Sequence, residues 1–318
     1  MSKITTNKEK LLEIAKDIRE VITKKQEELE LSFIEDTHIY YMRDLTGVVR
    51  NNYPSVSTVI KQFYNEFPDL EKSLDMCNGD VIEQDKLLTQ WRGTADYANS
   101  KGSRTHFLLE TDLLKLYGSY KSVREPIFNC DLEQTRDSNA MIDAGHSFIQ
   151  LMHRRGAVLL DTEMVLGSPE LGYTGQPDKV WIMLNENGEL GLVITDWKTN
   201  KQKNFEVHSY TQPMLPPFDD YMDTALSHYM IQLPLSARVL LDMLKDTKYA
   251  DIKLFGAVIV HLTDNSKFFE YRIPKNFIDI VLTMDPLMRI YEVMANKKAY
   301  TKKEETRKKL LSEALSKQ

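Results

Sequence analysis

The 318-residue chain has only two cysteines, Cys77 and Cys130, far apart and in no CxxC spacing. This argues against a cysteine-ligated zinc or iron–sulfur centre and suits a reducing compartment. No run of about 18 or more apolar residues occurs, so no segment reads as membrane-spanning. The opening MSKITTNKEKLLEIAKDIRE lacks the apolar core of a signal peptide, and a cytoplasmic location is expected. Positive charge is not in excess either. The net charge is −6 and the pI about 5.7, so any contact with nucleic acid must come from a local patch. Repeats and low-complexity linkers are also lacking. With 42% hydrophobic and 28% charged residues, the balance is globular rather than disordered.

What is present alternates helical and strand patterns. Residues 3–31 carry Lys and Glu with Leu and Ile at helical spacing, which predicts a solvated amphipathic helix. HIYYMRDLTGVV (His38–Val49) predicts a small hairpin. In YPSVSTVIKQF (Tyr53–Phe63), Ser55 or Ser57 can cap a helix bearing Val56, Val59, Ile60 and Phe63. Residues 64–90 are polar and read as an irregular, exposed excursion. A helix then runs from about Trp91 to Leu116, with Trp91, Ala95, Ala98, Gly102 and His106 on one face. Its small residues would let another backbone approach, and Trp91 reads as core. Further helices are expected at 138–155, at Asp223–Leu244 with a kink at Pro234, and from Phe277 onward. Strands are expected in Gly156–Ser168, Ile252–Thr263 and Lys267–Ile273, and His208–Tyr221 reads as a Pro-punctuated loop. The order is that of a mixed α/β layer architecture.

The segment GYTGQPDKVWIMLNENGELGLVITDWKTNK (Gly172–Lys201) reads as a β-hairpin, with Asn187-Gly188 between apolar runs. Its charges fall oddly. Asp178 opens the first run, and Asp196 and Lys198 close the second around Trp197. In a strand, residues two apart share a face, so Asp196 and Lys198 project together while Trp197 points the other way. Asp178 and Asp196 each lie nine residues from Asn187. An odd-length loop centred there places them opposite one another, whereas a strict two-residue turn would separate them. The longer loop or a bulge is therefore expected. Glu163, on the preceding strand, would extend the cluster.

Carboxylates crowded in this way repel unless a cation lies among them, and hard oxygen ligands suit Mg²⁺ or Mn²⁺. Such a cation acidifies water and neutralises phosphoryl charge, while a neighbouring lysine orients water or steadies the phosphorane. That is equipment for phosphodiester hydrolysis. Taken alone, an Asp-x-Lys triplet is common and reads first as a surface pair on an exposed edge strand.

The order of several motifs is more specific. Pro177-Asp178 followed by Asp196-Trp197-Lys198 resembles the PD-(D/E)xK nuclease signature. GSRTHFLLE (Gly102–Glu110) resembles the Gly-x-x-x-His helix of the RecB-type exonuclease branch, and GYTGQPD its Gly-x-x-Asp strand approach. HYMIQLPLSARVL (His228–Leu240) resembles the helix that supplies a Gln, and YPSVSTVI and MLPPFDDY resemble segments of phage and mitochondrial-genome-maintenance exonucleases. The resemblance runs from about Tyr53 to Leu240. It implies a restriction-endonuclease-like core, a mixed central sheet flanked by helices, over residues 53–275. Residues 1–52 would be an N-terminal helical elaboration, 64–100 a helical arch and 276–318 a helical tail. It also implies Asp178 and Asp196 as metal carboxylates, the Trp197 carbonyl as a further oxygen, and His106 reaching the same Mg²⁺ or Mn²⁺. Lys198 would be the catalytic lysine, and Gln232 would position DNA or water. The family usually has Tyr four residues after that Gln; here the position is Ser236, with Tyr229 on an adjacent helical face.

The activity so implied is a DNA exonuclease acting in replication, recombination or repair beside other proteins of those processes. Lys198, Lys201 and Lys203, with Arg92, Lys101 and Arg104, would form a phosphate-contacting rim. Phe63, Tyr64, Phe67 and Tyr97 would be available to stack on a single strand. A structure-specific or restriction-like endonuclease is the alternative with the same chemistry, and a non-catalytic DNA-binding factor is a second. Smaller assignments also stay open. Glu110 is a site member or a helix-surface charge, His228 a neighbour of Gln232, Thr199 and Asn200 strand-end hydrogen-bonders, and the basic run in 297–309 a solvated helix or a DNA contact.

Overall fold

In the computed structural model, which describes residues 2–117, 128–201, 205 and 212–316, the first helix is α1 (Ser2–Glu28). As expected of an amphipathic helix, its apolar stripe, Leu11, Ala15, Ile18 and Ile22, is buried, here in the main core, while its polar face is exposed. Strands β1 (Ser32–Ile34), β2 (Ile39–Arg43) and β3 (Val49–Arg50) form a small sheet, one strand more than the expected hairpin. Ser55, rather than Ser57, caps the short helix α2 (Val56–Val59) by accepting the Thr58 N–H at 3.3 Å.

The excursion at 64–90 is corrected to helix. It contains α3 (Asp69–Met76) and the first turns of α4 (Val81–Leu116). Asp80 caps α4 by accepting the N–H groups of Ile82 and Glu83 at 2.9 and 3.2 Å. The 36 residues of α4 make a rod about 54 Å long at ~1.5 Å per residue. Residues 92–99 are exposed all round it, including Ala95 and Ala98, which were expected on a packed face. Trp91 is half-buried beside Phe67 rather than in the core, with ring centres 5.9 Å apart. Helix α5 (Leu132–Arg154) opens on an Asp131–Gln134 capping box and packs along the later turns of α4.

The remaining elements are β4 (Val158–Thr162), β5 (Leu166–Ser168), β6 (Tyr173–Gly175), β7 (Lys179–Leu184), β8 (Leu190–Lys198), α6 (Ala225–Leu244), β9 (Lys253–Leu262), β10 (Phe268–Arg272), α7 (Lys275–Thr283) and α8 (Ile290–Leu315). The central sheet has the order β10-β9-β8-β7-β4 and is antiparallel except between β8 and β9. That parallel pair needs a crossover, and the segment between the two strands contains α6, which continues through Pro234. One sheet face sets Val180, Ile182 and Ile194 against α1, α6 and α7. The other sets Trp181, Val193 and Trp197 against α4 and α5. Burial on both faces accounts for the nearly unbroken apolar runs in these strands. Ile18 of α1 and Phe277 of α7 share the first core, so the segments outside 53–275 help to build it. The fold is thus mixed α/β, with a mixed central sheet flanked by helices. Among the described residues no helix is long and apolar enough to cross a membrane.

Candidate active site

The β7–β8 loop determines which side chains meet. The last ladder pair is Leu184↔Leu190, leaving an odd loop of Asn185 to Glu189. Gly188 donates to the Asn185 carbonyl at 2.9 Å with φ +77°, and the Asn187 and Glu189 N–H groups donate to Asn185 Oδ1 at 3.0 and 2.9 Å. A type I turn closed by a left-handed glycine gives this loop, as Asn-Gly favours. At the open end the last pair is Lys179↔Thr195, so one further step sets Asp178 opposite Asp196. Asp178 Oδ2 accepts the Trp197 N–H at 3.0 Å.

Strand alternation separates the rest. Trp197 is fully buried against the edge of Phe148, ring centres 5.3 Å apart. On the other face Lys198 Nζ lies 2.5 Å from Asp196 Oδ2 and 4.1 Å over the Tyr229 ring of α6. This is why a buried-looking strand tolerates the pair: each charge has a partner, and the ammonium has an aromatic face as well. Apart from Lys198, no hydrogen-bond donor reaches Asp196 Oδ2 among the described residues.

Two more elements deliver ligand-type side chains. On α4, a Cβ at Gly102 would stand 2.9 Å from Thr199 Oγ1, so the glycine lets the helix close on the end of β8. One turn later His106 Nδ1 lies 3.3 Å from Asp178 Oδ2. Beyond β4 the chain turns at Glu163, which has φ +45°, a conformation costly for a residue with a Cβ. The Glu163 N–H donates to the Asp178 carbonyl at 3.0 Å, and its own carbonyl accepts Gln176 Nε2 at 3.2 Å. Ligand atoms of His106, Glu163 and Asp178 all lie within 4.8 Å of one another. Glu110 Oε1 accepts the Thr162 hydroxyl at 3.1 Å, and its charge reaches Glu163.

The cluster polarises its own members. Burial holds the His106 imidazole down at about 4, against the pull of Asp178. Burial, then the Asp178 charge, pushes Glu163 well above the usual carboxylate range. Burial also acts on Asp178, but Lys179, His106 and Lys198 outweigh it and hold that carboxyl below its usual range. Asp196 is pushed up to about 7 by burial and by Asp178. Burial disfavours the Lys198 ammonium, yet Asp196 and Asp178 hold its pKa above the normal value. A neutral imidazole and crowded carboxylates are donor types that a hard divalent cation can take.

The other sequence-predicted residues are distributed unevenly. Gln232 is half-buried on α6. It lies between Tyr229, which meets Lys198, and Ser236, which lies against Gly175. Ser236 Oγ donates back to the Gln232 carbonyl at 3.2 Å. Lys101 and Arg104 face α5 instead of an open rim: Lys101 pairs with Asp137 at 3.5 Å, and Arg104 donates to Ser138 and Asn139 at 2.8 and 2.9 Å. Arg92 pairs with Glu304 of α8 at 3.3 Å. Lys201 is exposed, and Lys203 lies outside the described residues. His228 bonds Asp223 at 2.7 Å and stacks on Tyr64 at 3.7 Å. Asn200 accepts the Tyr229 hydroxyl at 3.3 Å. A cleft of about 480 Å³ between Tyr64, Phe67 and α8 contains none of the clustered groups. Lys179 was not expected beside the cluster, although a lysine inside an apolar strand next to Asp178 is a visible signal; its Nζ lies 3.7 Å from Asp178 Oδ2. No protein-family model matches the chain, and no curated protein matches it.

Proposed function

We propose that this protein is a metal-dependent deoxyribonuclease with a PD-(D/E)xK core, a RecB-like exonuclease that hydrolyses phosphodiester bonds from DNA ends and prefers single strands. One observation carries this reading. His106, Glu163 and Asp178, from three separate parts of the chain, converge beside the Asp196–Lys198 pair. The antiparallel β7–β8 hairpin, with β9 parallel beside it, supports the core assignment.

Asp178, Glu163 and His106 would hold Mg²⁺ or Mn²⁺, with Asp196 and the Trp197 carbonyl adjoining, and the cation would supply positive charge at a phosphoryl oxygen. The chain's own groups do the rest. His106 stays neutral at pH 7 and so offers a nitrogen lone pair. Asp196 and Tyr229 hold the Lys198 ammonium in place, where it can donate to the attacking water or to the charge that builds on phosphorus. Gln232 would orient the strand or the water. The exposed Lys201 would contact a phosphate.

Digestion of end-labelled linear and circular single-stranded DNA, with Mg²⁺, Mn²⁺ or EDTA, tests the proposal. Release of mononucleotides or short products from linear DNA, intact circles and silence in EDTA are expected. Cut circles would make the enzyme an endonuclease. Full activity in EDTA, or none with either cation, would end the nuclease reading.

A further inference from the structure

Lys179 is the most deeply buried formally charged side chain among the described residues, 1% exposed. Its partner in the ladder is Thr195, and its stem runs on the α4–α5 side of the sheet with Trp181 and Trp197. A methionine would pack there without the cost of desolvating an ammonium, so the charge itself needs a reason. Two neighbours compensate it. Nζ lies 4.6 Å from the centre of the Trp197 ring and 3.7 Å from Asp178 Oδ2. That oxygen also meets His106 Nδ1 and the Trp197 N–H. The ammonium therefore reaches Asp178 from the α4–α5 side of the sheet, at the same oxygen that His106 meets.

We infer that Lys179 is a positioning residue, a built-in counter-cation that keeps Asp178 aimed into the cluster before a divalent cation arrives and limits how tightly that cation is held. The inference rests on the reading of Asp178 as a cation ligand. Without Lys179 the cluster would hold one more uncompensated negative charge, so the apo protein would lose stability while affinity for a dication would rise. Charges this close commonly change a partner's equilibrium by about tenfold or more.

Wild type, Lys179→Met and the double variant Asp178→Asn/Lys179→Met would be compared by thermal melting in EDTA and in saturating Mn²⁺, with Mn²⁺ affinity measured by calorimetry. Lys179→Met should melt lower in EDTA, recover most of the deficit in Mn²⁺ and bind Mn²⁺ about tenfold more tightly. The double variant, with both charges gone, should melt above Lys179→Met in EDTA. An equal deficit with and without Mn²⁺, together with unchanged affinity, would make Lys179 a structural lysine and overturn the inference. Should Lys179→Met fail to fold, the double variant decides alone: if it also fails, the charge of Asp178 is not what Lys179 serves. Absence of Mn²⁺ binding by wild type would instead overturn the cation-site reading itself, and the EDTA melting curves would still show whether Lys179 compensates Asp178.

Discussion

Asp178 and Asp196 stand opposite one another at the open end of the β7–β8 hairpin, and their surroundings drive them in opposite directions. Both are buried. Asp178 gathers Lys179, His106 and Lys198 around it and stays ionised, whereas Asp196, facing the Asp178 charge, is pushed up to about 7. Separating two carboxylates in this way is a common signature of assigned acid–base or ligand roles.

The charge pair on β8 should matter for chemistry more than for folding. Asp196→Asn and Lys198→Ala are each expected to lower cleavage roughly a hundredfold or more, as for other groups that act in the transition state. DNA binding should survive in both. Nuclease assays beside melting curves decide the matter: two variants that cleave normally but melt far lower would make the pair structural.

Asp196 also predicts a pH dependence. Its folded pKa of about 7 lies above the ordinary value of 3.8, so its contribution is fully present below about 4 and is lost as pH rises through 7. Glu163 shifts the same way and His106 oppositely, so the difference between variants is the clean quantity. In EDTA, the melting temperature of wild type relative to Asp196→Asn should fall between pH 4 and 7. A flat difference would mean that Asp196 titrates normally.

Glu163 trades stability for its place in the cluster. Its left-handed backbone costs about 1–2 kcal/mol relative to glycine, and desolvation and the Asp178 charge work against its carboxylate as well. Glu163→Gly should therefore melt higher than wild type while losing most of its cation affinity and cleavage. A lower melting temperature would show that the side chain stabilises the turn.

His106 should reach the cluster only if α4 closes on β8 at Gly102. Replacing that glycine by Val would place a branched side chain against Thr199 and hold the helix off. Circular dichroism should show the helix retained, while activity drops at least about tenfold, as it should for His106→Ala. Normal cleavage by Gly102→Val would separate the glycine from the site.

Much of the hairpin was legible without coordinates. Given an odd loop centred on Asn187, the two-residue period of a strand sets Asp178 against Asp196, puts Lys198 beside Asp196 and turns Trp197 to the other face. These are local rules, and the loop Asn185–Glu189 obeys them. The long apolar helix α6 and the strands β9 and β10 were likewise carried by periodicity.

What only the tertiary structure decided lies between elements. The stretch around Asp69–Met76 is too short and polar to announce a helix; it holds because Leu70 is buried and its carbonyl accepts Gln84 Nε2 of α4 at 2.8 Å. Lys101 and Arg104 look like rim charges until Asp137, Ser138 and Asn139 of α5 engage them. The strand period places Lys179 on the face opposite its neighbour's partner Asp196, which hides its part in the cluster. Its long stem brings the ammonium back to Asp178 only because α4 and α5 cover that face and exclude water. Sequence determines which side of a strand a residue leaves from; the packing of the next layer determines where a long side chain ends and what charge it meets there.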